Sequence, residues 1–219
     1  MANLADLFDS AAARALDAQA SALAGDGGWE LMAQAGLAAW QRLLRHWPQA
    51  LNVGVVVGSG NNGGDGLVLA RHALLAGRRV TALTLPGKPP ATALAQRATS
   101  DFRSVGGTLA EFDGTLPAAD IWVDGLFGLG FDRAPEGAAQ AVIEALNAQD
   151  APVFALDVPS GVDADRGTVP GVAVRAALTL QFIVPHRGLY TGDALEHAGE
   201  PALAALQDGR DEVDGFNRL

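Results

Sequence analysis

Three stretches of this chain combine glycines with oxygen-bearing side chains: Gly58-Ser-Gly-Asn-Asn-Gly-Gly-Asp-Gly66, Asp124-Gly-Leu-Phe-Gly-Leu-Gly130 and Asp157-Val-Pro-Ser-Gly-Val-Asp163. In the first, consecutive small residues ahead of a helix expose backbone N–H groups, which suits a phosphate or another anion. Asn61 and Asn62 offer both donors and acceptors, useful for an amide, a hydroxyl or a cation. Asp65 is expected in the first turn of that helix, where the dipole favours a negative charge. Residues 58–63 also match G-x-G-x-x-G, but the dinucleotide fingerprint wants an acid about 20 residues on. That place reads Thr84-Leu-Pro-Gly87. No Gly-Lys-Ser/Thr follows either, and an Asp where a P-loop has Lys repels a triphosphate. The plain alternative is a tight strand-to-helix turn in which Asn and Gly serve geometry alone.

Asp124 and Asp157 each close a short apolar run. Either could cap a turn. Pro159 disfavours helix at Val158, which holds Asp157 near the strand edge. Ser160 sits in a Pro-Ser-Gly turn, and Asp165 reads as a solvated turn residue. Several carboxylates, amides and carbonyls at one edge suit a hard cation, including a loosely held alkali ion, or acid–base work. The four histidines, His46, His72, His186 and His197, are dispersed, which argues against zinc. No Gly-x-Ser-x-Gly elbow points to a serine hydrolase.

Placing these loops together requires a particular scaffold. Apolar runs at 52–57, 80–85, 109–112, 121–124, 153–157 and 178–184 alternate with helical patterns at 67–76, 91–104 and 136–148. The runs are apolar at nearly every position, as strands buried on both faces are. They predict an α/β fold: a parallel sheet between helical layers, with all three loops at its carboxyl edge. Residues 4–23 and 29–46 read as two helices, so residues 1–50 pack on an α/β core at 51–200 and residues 1–219 form one domain. A formal net charge of −10 repels nucleic acid and anionic membrane. Without cysteine there is no disulfide and no thiolate chemistry. The N-terminus has neither a signal-peptide nor a transit-peptide pattern, so a cytoplasmic location is expected.

Taken together, the three loops resemble the NAD(P)H-hydrate epimerase family, the YjeF N-terminal domain. Arg14-Ala-Leu-Asp-Ala-Gln19, Leu31-Met-Ala-Gln-Ala-Gly36 and Gly188-Leu-Tyr-Thr-Gly192 extend the resemblance over nearly the whole chain. It implies a three-layer α/β/α sandwich, a Rossmann-like, mostly parallel sheet with extra N-terminal helices. The implied activity interconverts the R and S epimers at C6 of hydrated NADH or NADPH, for a partner ATP- or ADP-dependent dehydratase that is fused to this domain in many relatives. One potassium ion is implied, with Asn62, Asp124 and Ser160 at the ligand positions. Asn61, Asn62, Gly63, Gly64, Asp65, Gly128, Leu129, Gly130, Phe131, Asp132, Arg133, Ala134 and Asp157 match the positions that hold the hydrated dinucleotide. Asp157 is the candidate catalytic group. Relatives are often dimers, which makes a homodimer, with Trp29 and Trp40 at its interface, a further expectation. A non-catalytic nucleotide-binding protein on the same scaffold is the alternative. One departure stands out: where many relatives have Phe-x-x-x-Lys-Pro-Gly-Leu, this chain has Phe182-Ile-Val-Pro-His-Arg-Gly-Leu189. His186 replaces the Lys and Arg187 the Pro. Of the two only Arg187 is charged throughout the neutral range, and the plain reading is a surface loop near the site.

Overall fold

The computed structural model describes residues 7–24, 26–131 and 133–206. Seven strands form one fully parallel sheet in the order β3-β2-β1-β4-β5-β6-β7. They are β1 (Asn52–Val57), β2 (Arg79–Thr84), β3 (Leu109–Glu111), β4 (Ile121–Gly125), β5 (Val153–Leu156), β6 (Leu178–Phe182) and β7 (Glu200–Ala204). The chain runs outward from β1 to β3, then returns to lay β4 against the free side of β1. That reversal opens a crevice beyond the carboxyl ends of β1 and β4, the place where open α/β sheets bind ligands.

Alternation along each strand divides its side chains between two faces. Val53, Val55, Val57, Ile121, Val123, Phe154 and Leu156 join one apolar core with α2 (Trp29–His46), α3 (Asn61–Leu75) and α4 (Ala93–Ser104). Val56, Leu83, Trp122 and Val153 join the other with α5 (Ala138–Asn147). Gly54 lies opposite Trp122 in the sheet register. A Cβ at Gly54 would come within 2.4 Å of the indole, so the missing side chain is the space the ring fills. Fully buried side chains such as Phe102, Phe154 and Leu156 each stabilise the fold by about 2 kcal/mol. The helices on both faces and the parallel sheet are those expected.

Four local features differ from the expectation. Residues 4–6 of the expected first helix lie outside the described residues; α1 (Ser10–Ala24) starts after residues 7–9, because the Asp9 carboxylate accepts from the backbone N–H of Ala12 at 2.8 Å and caps it there. Helix α3 begins at Asn61 rather than near residue 67, so the Asn-Asn-Gly-Gly stretch is helix and not loop. Asp65 therefore sits beyond the first turn. Strand β7 was not among the expected runs; it lies at the sheet edge, where Pro201, without an N–H to donate, is tolerated. Strands β5 and β6 end one and two residues early. At both ends a backbone N–H reaches back two residues, Val158 to Leu156 at 2.8 Å and Val184 to Phe182 at 2.7 Å. The central residues, Asp157 and Ile183, have φ of 65° and 66°. Each is a three-residue γ-turn of the strained hand.

In place of helices, irregular chain follows β5 and β6 and includes 3-10 turns at Arg187–Tyr190 and Gly192–Glu196. A small separate core, Val158, Val162, Ala164, Leu189 and Ala194 among its members, supports them. Trp40 is a core residue at 6% exposure and is not available to an interface. Among the described residues no helix is long and apolar enough to cross a membrane.

Candidate functional site

Beyond β1 the chain turns at Gly58, whose N–H donates to the Gly125 carbonyl at 3.0 Å. A Cβ at Gly58 would fall 1.9 Å from the Leu126 carbonyl oxygen, so the crevice closes only around glycine. Asn61 and Asn62 then open α3. Asn61 Oδ1 accepts from the Thr92 hydroxyl at 2.7 Å, and Thr92 also caps α4 through the N–H of Ala95 at 3.1 Å. Asn62 Nδ2 donates to the Phe127 carbonyl at 2.6 Å and the Leu156 carbonyl at 3.1 Å. One side chain thus links the ends of β1, β4 and β5. Its Oδ1 is buried without a partner among the described residues.

Asp124, at the end of β4, is fully buried. Its oxygens accept from the Ser160 hydroxyl at 2.7 Å, the Ser160 N–H at 2.8 Å and the Leu126 N–H at 3.1 Å. Ser160 Oγ in turn accepts from the Phe127 N–H at 2.9 Å. Burial drives the Asp124 carboxyl up to about 6, against the pull of those donors. Every donor it has is neutral, so burying its charge is costly unless a cation compensates it. The orphan Asn62 Oδ1 is the second sign of the same need. Turning the amide over would press Oδ1 against the carbonyls that Nδ2 now serves, tolerable only with a positive ion among them. Among the described residues no group of three or more His, Asp or Glu is poised to hold a metal. Neutral oxygens around one carboxylate are donors for a weakly held alkali ion, and Asn62, Asp124 and Ser160 fit one.

Asp157 forms a contrasting centre. Its Oδ1 lies 2.7 Å from Nε2 of His186, and its Oδ2 accepts from the Leu129 N–H at 3.2 Å. His186 is buried at 1% exposure. The expectation of a surface loop there is therefore corrected: the residue after Pro185 points inward against Asp157. Arg187 instead lies half exposed, donating from Nε to the Asp165 carbonyl at 3.2 Å. Asp165 is no free turn residue either, since it accepts from the Ser10 N–H at 2.6 Å.

Between these groups and the N-terminal helices lies a cleft of about 530 Å³. Leu31, Met32, Phe127, Phe131 and Phe182 supply its apolar walls, and Phe127 and Phe131 stack with centroids 3.9 Å apart. Asn61, Asn62, Asp65, Gly128, Leu129, Gly130, Phe131 and Asp157 all line it. Gly63 and Gly64 do not: they are buried in the packing of α3, Gly64 against Met32. Arg133 and Ala134 lie off the walls, with Arg133 set over the Phe131 ring at 5.8 Å. Asp132 lies outside the described residues. Arg71 belongs to a separate groove of about 400 Å³ formed by α2, α3 and α4.

Asp17, which lines the cleft, and His186, which lies behind Asp157, were not foreseen as site residues. Asp17 enters from α1, and only its place in Arg14-Ala-Leu-Asp-Ala-Gln19 could have signalled it. Burial pushes Asp17 up, and the Asp157 charge adds to it. Burial pushes Asp65 well above the usual carboxylate range, helped by Asp157 and Asp17. One cleft thus holds a carboxylate fixed against an imidazole and a second carboxyl inclined to keep its proton. That pairing suits proton transfer on a bound ring flanked by aromatic walls.

Comparisons with known proteins agree with this architecture. The chain is 42% identical over 176 residues to the NAD(P)H-hydrate epimerase of Limosilactobacillus fermentum, covering 80% of this chain and 84% of that protein. It is 41% identical over 181 residues to the bifunctional NAD(P)H-hydrate repair enzyme of Leishmania braziliensis, where the match covers 78% of this chain and 31% of the relative. The chain thus spans about a third of that longer protein. A crystal structure of a yeast protein superposes with a TM-score of 0.73 at 23% identity, covering 90% of this chain and 86% of that one, and shares the fold. The model of the YjeF-related protein N-terminus matches residues 28–188, which include every strand from β1 to β6, the Asn61-Asn62 turn, Asp124, Asp157 and His186; the chain belongs to that family.

Proposed function

We propose that this chain is an NAD(P)H-hydrate epimerase, interconverting the R and S forms of hydrated NADH and NADPH at C6 of the nicotinamide ring. The observation that carries this reading is the convergence of the Asn61-Asn62 turn, the 128–131 loop and Asp157 on one cleft. The 42% identity to an epimerase of similar length supports the substrate.

The free N–H groups of the first turn of α3 suit the diphosphate. The aromatic walls suit the ring, and Asp157, on the cleft wall, would meet the reacting carbon's hydroxyl. Inversion at C6 requires a bond there to open and reclose on the other face. In one route the hydroxyl gives its proton to Asp157, C6 becomes a carbonyl, and the C6–N1 bond breaks as N1 takes a proton; closure returns both. In the other, the protonated hydroxyl leaves as water and the N1 lone pair forms a cationic imine, to which water adds back. Both move one proton on and off the C6 oxygen and leave the oxidation state unchanged, which suits a carboxylate base beside a carboxyl acid. Asp157 is the base, and Asp65 is the acid. Asn62, Asp124 and Ser160 would hold a potassium ion, whose positive charge would compensate Asp124 behind the loop that carries Phe127 and Gly128. The bifunctional relative suggests a dehydratase as functional partner, acting on the S form in the cytoplasmic dinucleotide pool.

The test is direct. The R hydrate of NADH is isolated, the protein is added with and without potassium, and formation of the S hydrate is followed by chromatography against the spontaneous rate. Strong acceleration is expected. Binding of the hydrate with no acceleration would leave a nucleotide-binding protein.

A further inference from the structure

We propose that His186 is a positioning residue for this chemistry: as a neutral Nε2–H donor it fixes the Asp157 carboxylate and keeps it available as the base. The inference rests on the epimerase reading and deepens it.

The tautomer follows from the hydrogen bonds. His186 Nε2 lies 2.7 Å from Asp157 Oδ1, while Nδ1 is buried with no partner among the described residues. A proton on Nδ1 would be a buried donor without an acceptor, at a cost of about 1–3 kcal/mol. The ring is therefore protonated on Nε2 alone and donates to Oδ1. With Oδ1 occupied and Oδ2 accepting from the Leu129 N–H at 3.2 Å, the carboxylate is held at both oxygens while Asp157 lines the cleft.

The main chain that carries the ring is anchored from several directions. The His186 N–H donates to Gln181 Oε1 at 2.7 Å, and the same buried amide donates to the Tyr190 hydroxyl at 2.9 Å. Phe8, ahead of α1, brackets the histidine: its N–H donates to the Pro185 carbonyl and its carbonyl accepts from the Arg187 N–H, both at 2.9 Å. With its main chain fixed and Nε2 tied to Asp157, the imidazole is held before substrate arrives, so little entropy is lost in aligning it.

The need for such a donor comes from the cleft. Asp17 and Asp65 both interact unfavourably with the charge of Asp157. Stripped of His186, Asp157 would keep the Leu129 N–H and face the acidic groups of Asp17 and Asp65. Its orientation would loosen. His186, at 1% exposure, does not itself reach the substrate.

The experiment compares wild type, His186→Gln and His186→Phe in the R-to-S hydrate assay, with thermal melting of each. A glutamine amide can place a donor near the position of Nε2. His186→Phe is expected to lower kcat by about 10–100-fold with KM little changed, the range for removal of a group that orients a reacting ligand. His186→Gln should recover most of that loss. In parallel, 15N NMR of the wild-type imidazole should show the proton on Nε2. A proton on Nδ1 overturns the proposal, as does a folded His186→Phe with wild-type kcat, or a folded His186→Gln as impaired as the phenylalanine variant. If wild type does not accelerate epimerisation at all, the functional reading fails, while the tautomer spectrum still decides the pairing on its own.

Discussion

Two aspartates end neighbouring parallel strands of this sheet, and their surroundings give them opposite tasks. Asp124 closes β4 with no exposure, clasped by two amides and a hydroxyl. Asp157 follows β5 in a strained turn, with one oxygen on an imidazole and its side chain 14% exposed at the cleft. A buried carboxylate with neutral donors calls for a proton or a cation. A carboxylate held by a charge-neutral donor pair and open to a cleft is equipped to take a proton and give it back. The difference teaches that residue type and strand position, which the two share, do not set the role; solvent access and the partner atoms do.

The largest expected effect would break this contrast on the open side. Asp157→Asn should reduce epimerisation by about 10³-fold, within the range of general acid–base catalysis, while melting within a few degrees of wild type. A folded asparagine variant with full activity removes Asp157 from the reaction. On the closed side, Asp124→Ala leaves the Ser160 hydroxyl and two backbone N–H groups without their acceptor, and should cost about 3 kcal/mol in denaturant unfolding. An Asp124→Ala protein as stable as wild type would show that the clasp contributes nothing.

A pH experiment sharpens the comparison further. Burial holds Asp124 at about 6 in the folded protein against 3.8 as its ordinary value. The folded state therefore binds the proton more tightly than the unfolded chain. Its contribution is present in full below the ordinary value and is lost as pH rises toward about 6, by about 3 kcal/mol, then stays flat. A potassium ion beside the carboxylate favours the charged form. Potassium chloride, compared with choline chloride, should raise Tm more at about pH 8 than at about pH 5. Equal shifts at both would remove the ion from Asp124.

Asp65 offers a smaller contrast, since it is buried beside Asp157 and repelled by it. Asp65→Asn should increase stability at neutral pH, with a roughly tenfold loss of kcat if Asp65 is the acid of the reaction. A variant less stable than wild type would show that the carboxyl has a favourable partner. Smallest is Thr92→Ala, which removes the cap on α4 and the bond to Asn61 Oδ1. About 1 kcal/mol of stability should be lost on a melting curve, with activity within a factor of about three.

Much of this arrangement was legible early. Apolar runs on both faces announced a parallel sheet between helices, and glycine beside Asp and Asn at the runs' ends marked the edge where the cleft lies. These are local signals: pattern and turn chemistry survive in one dimension. What eluded the sequence is what depends on distant neighbours. Helix α3 begins inside a Gly-Asn stretch of poor helix propensity, because Gly58 and the β4 loop leave it no other path. Strand β7 contains Pro201, which an edge position tolerates. The backbone of Asp157, with its φ of 65°, is one that no rule for an aspartate predicts.

By itself the sequence determined the fold class, the edge that carries the chemistry and the kind of groups gathered there, because burial periodicity and glycine geometry are written residue by residue. Only the tertiary structure decided which carboxylate is closed in and which is open. It alone turned His186, 29 residues beyond Asp157, into that residue's partner and brought Asp17 across from the first helix. The reason is physical: a carboxyl group's charge, orientation and readiness to accept a proton are properties of its surroundings, and those surroundings come from segments that meet only when the chain is folded.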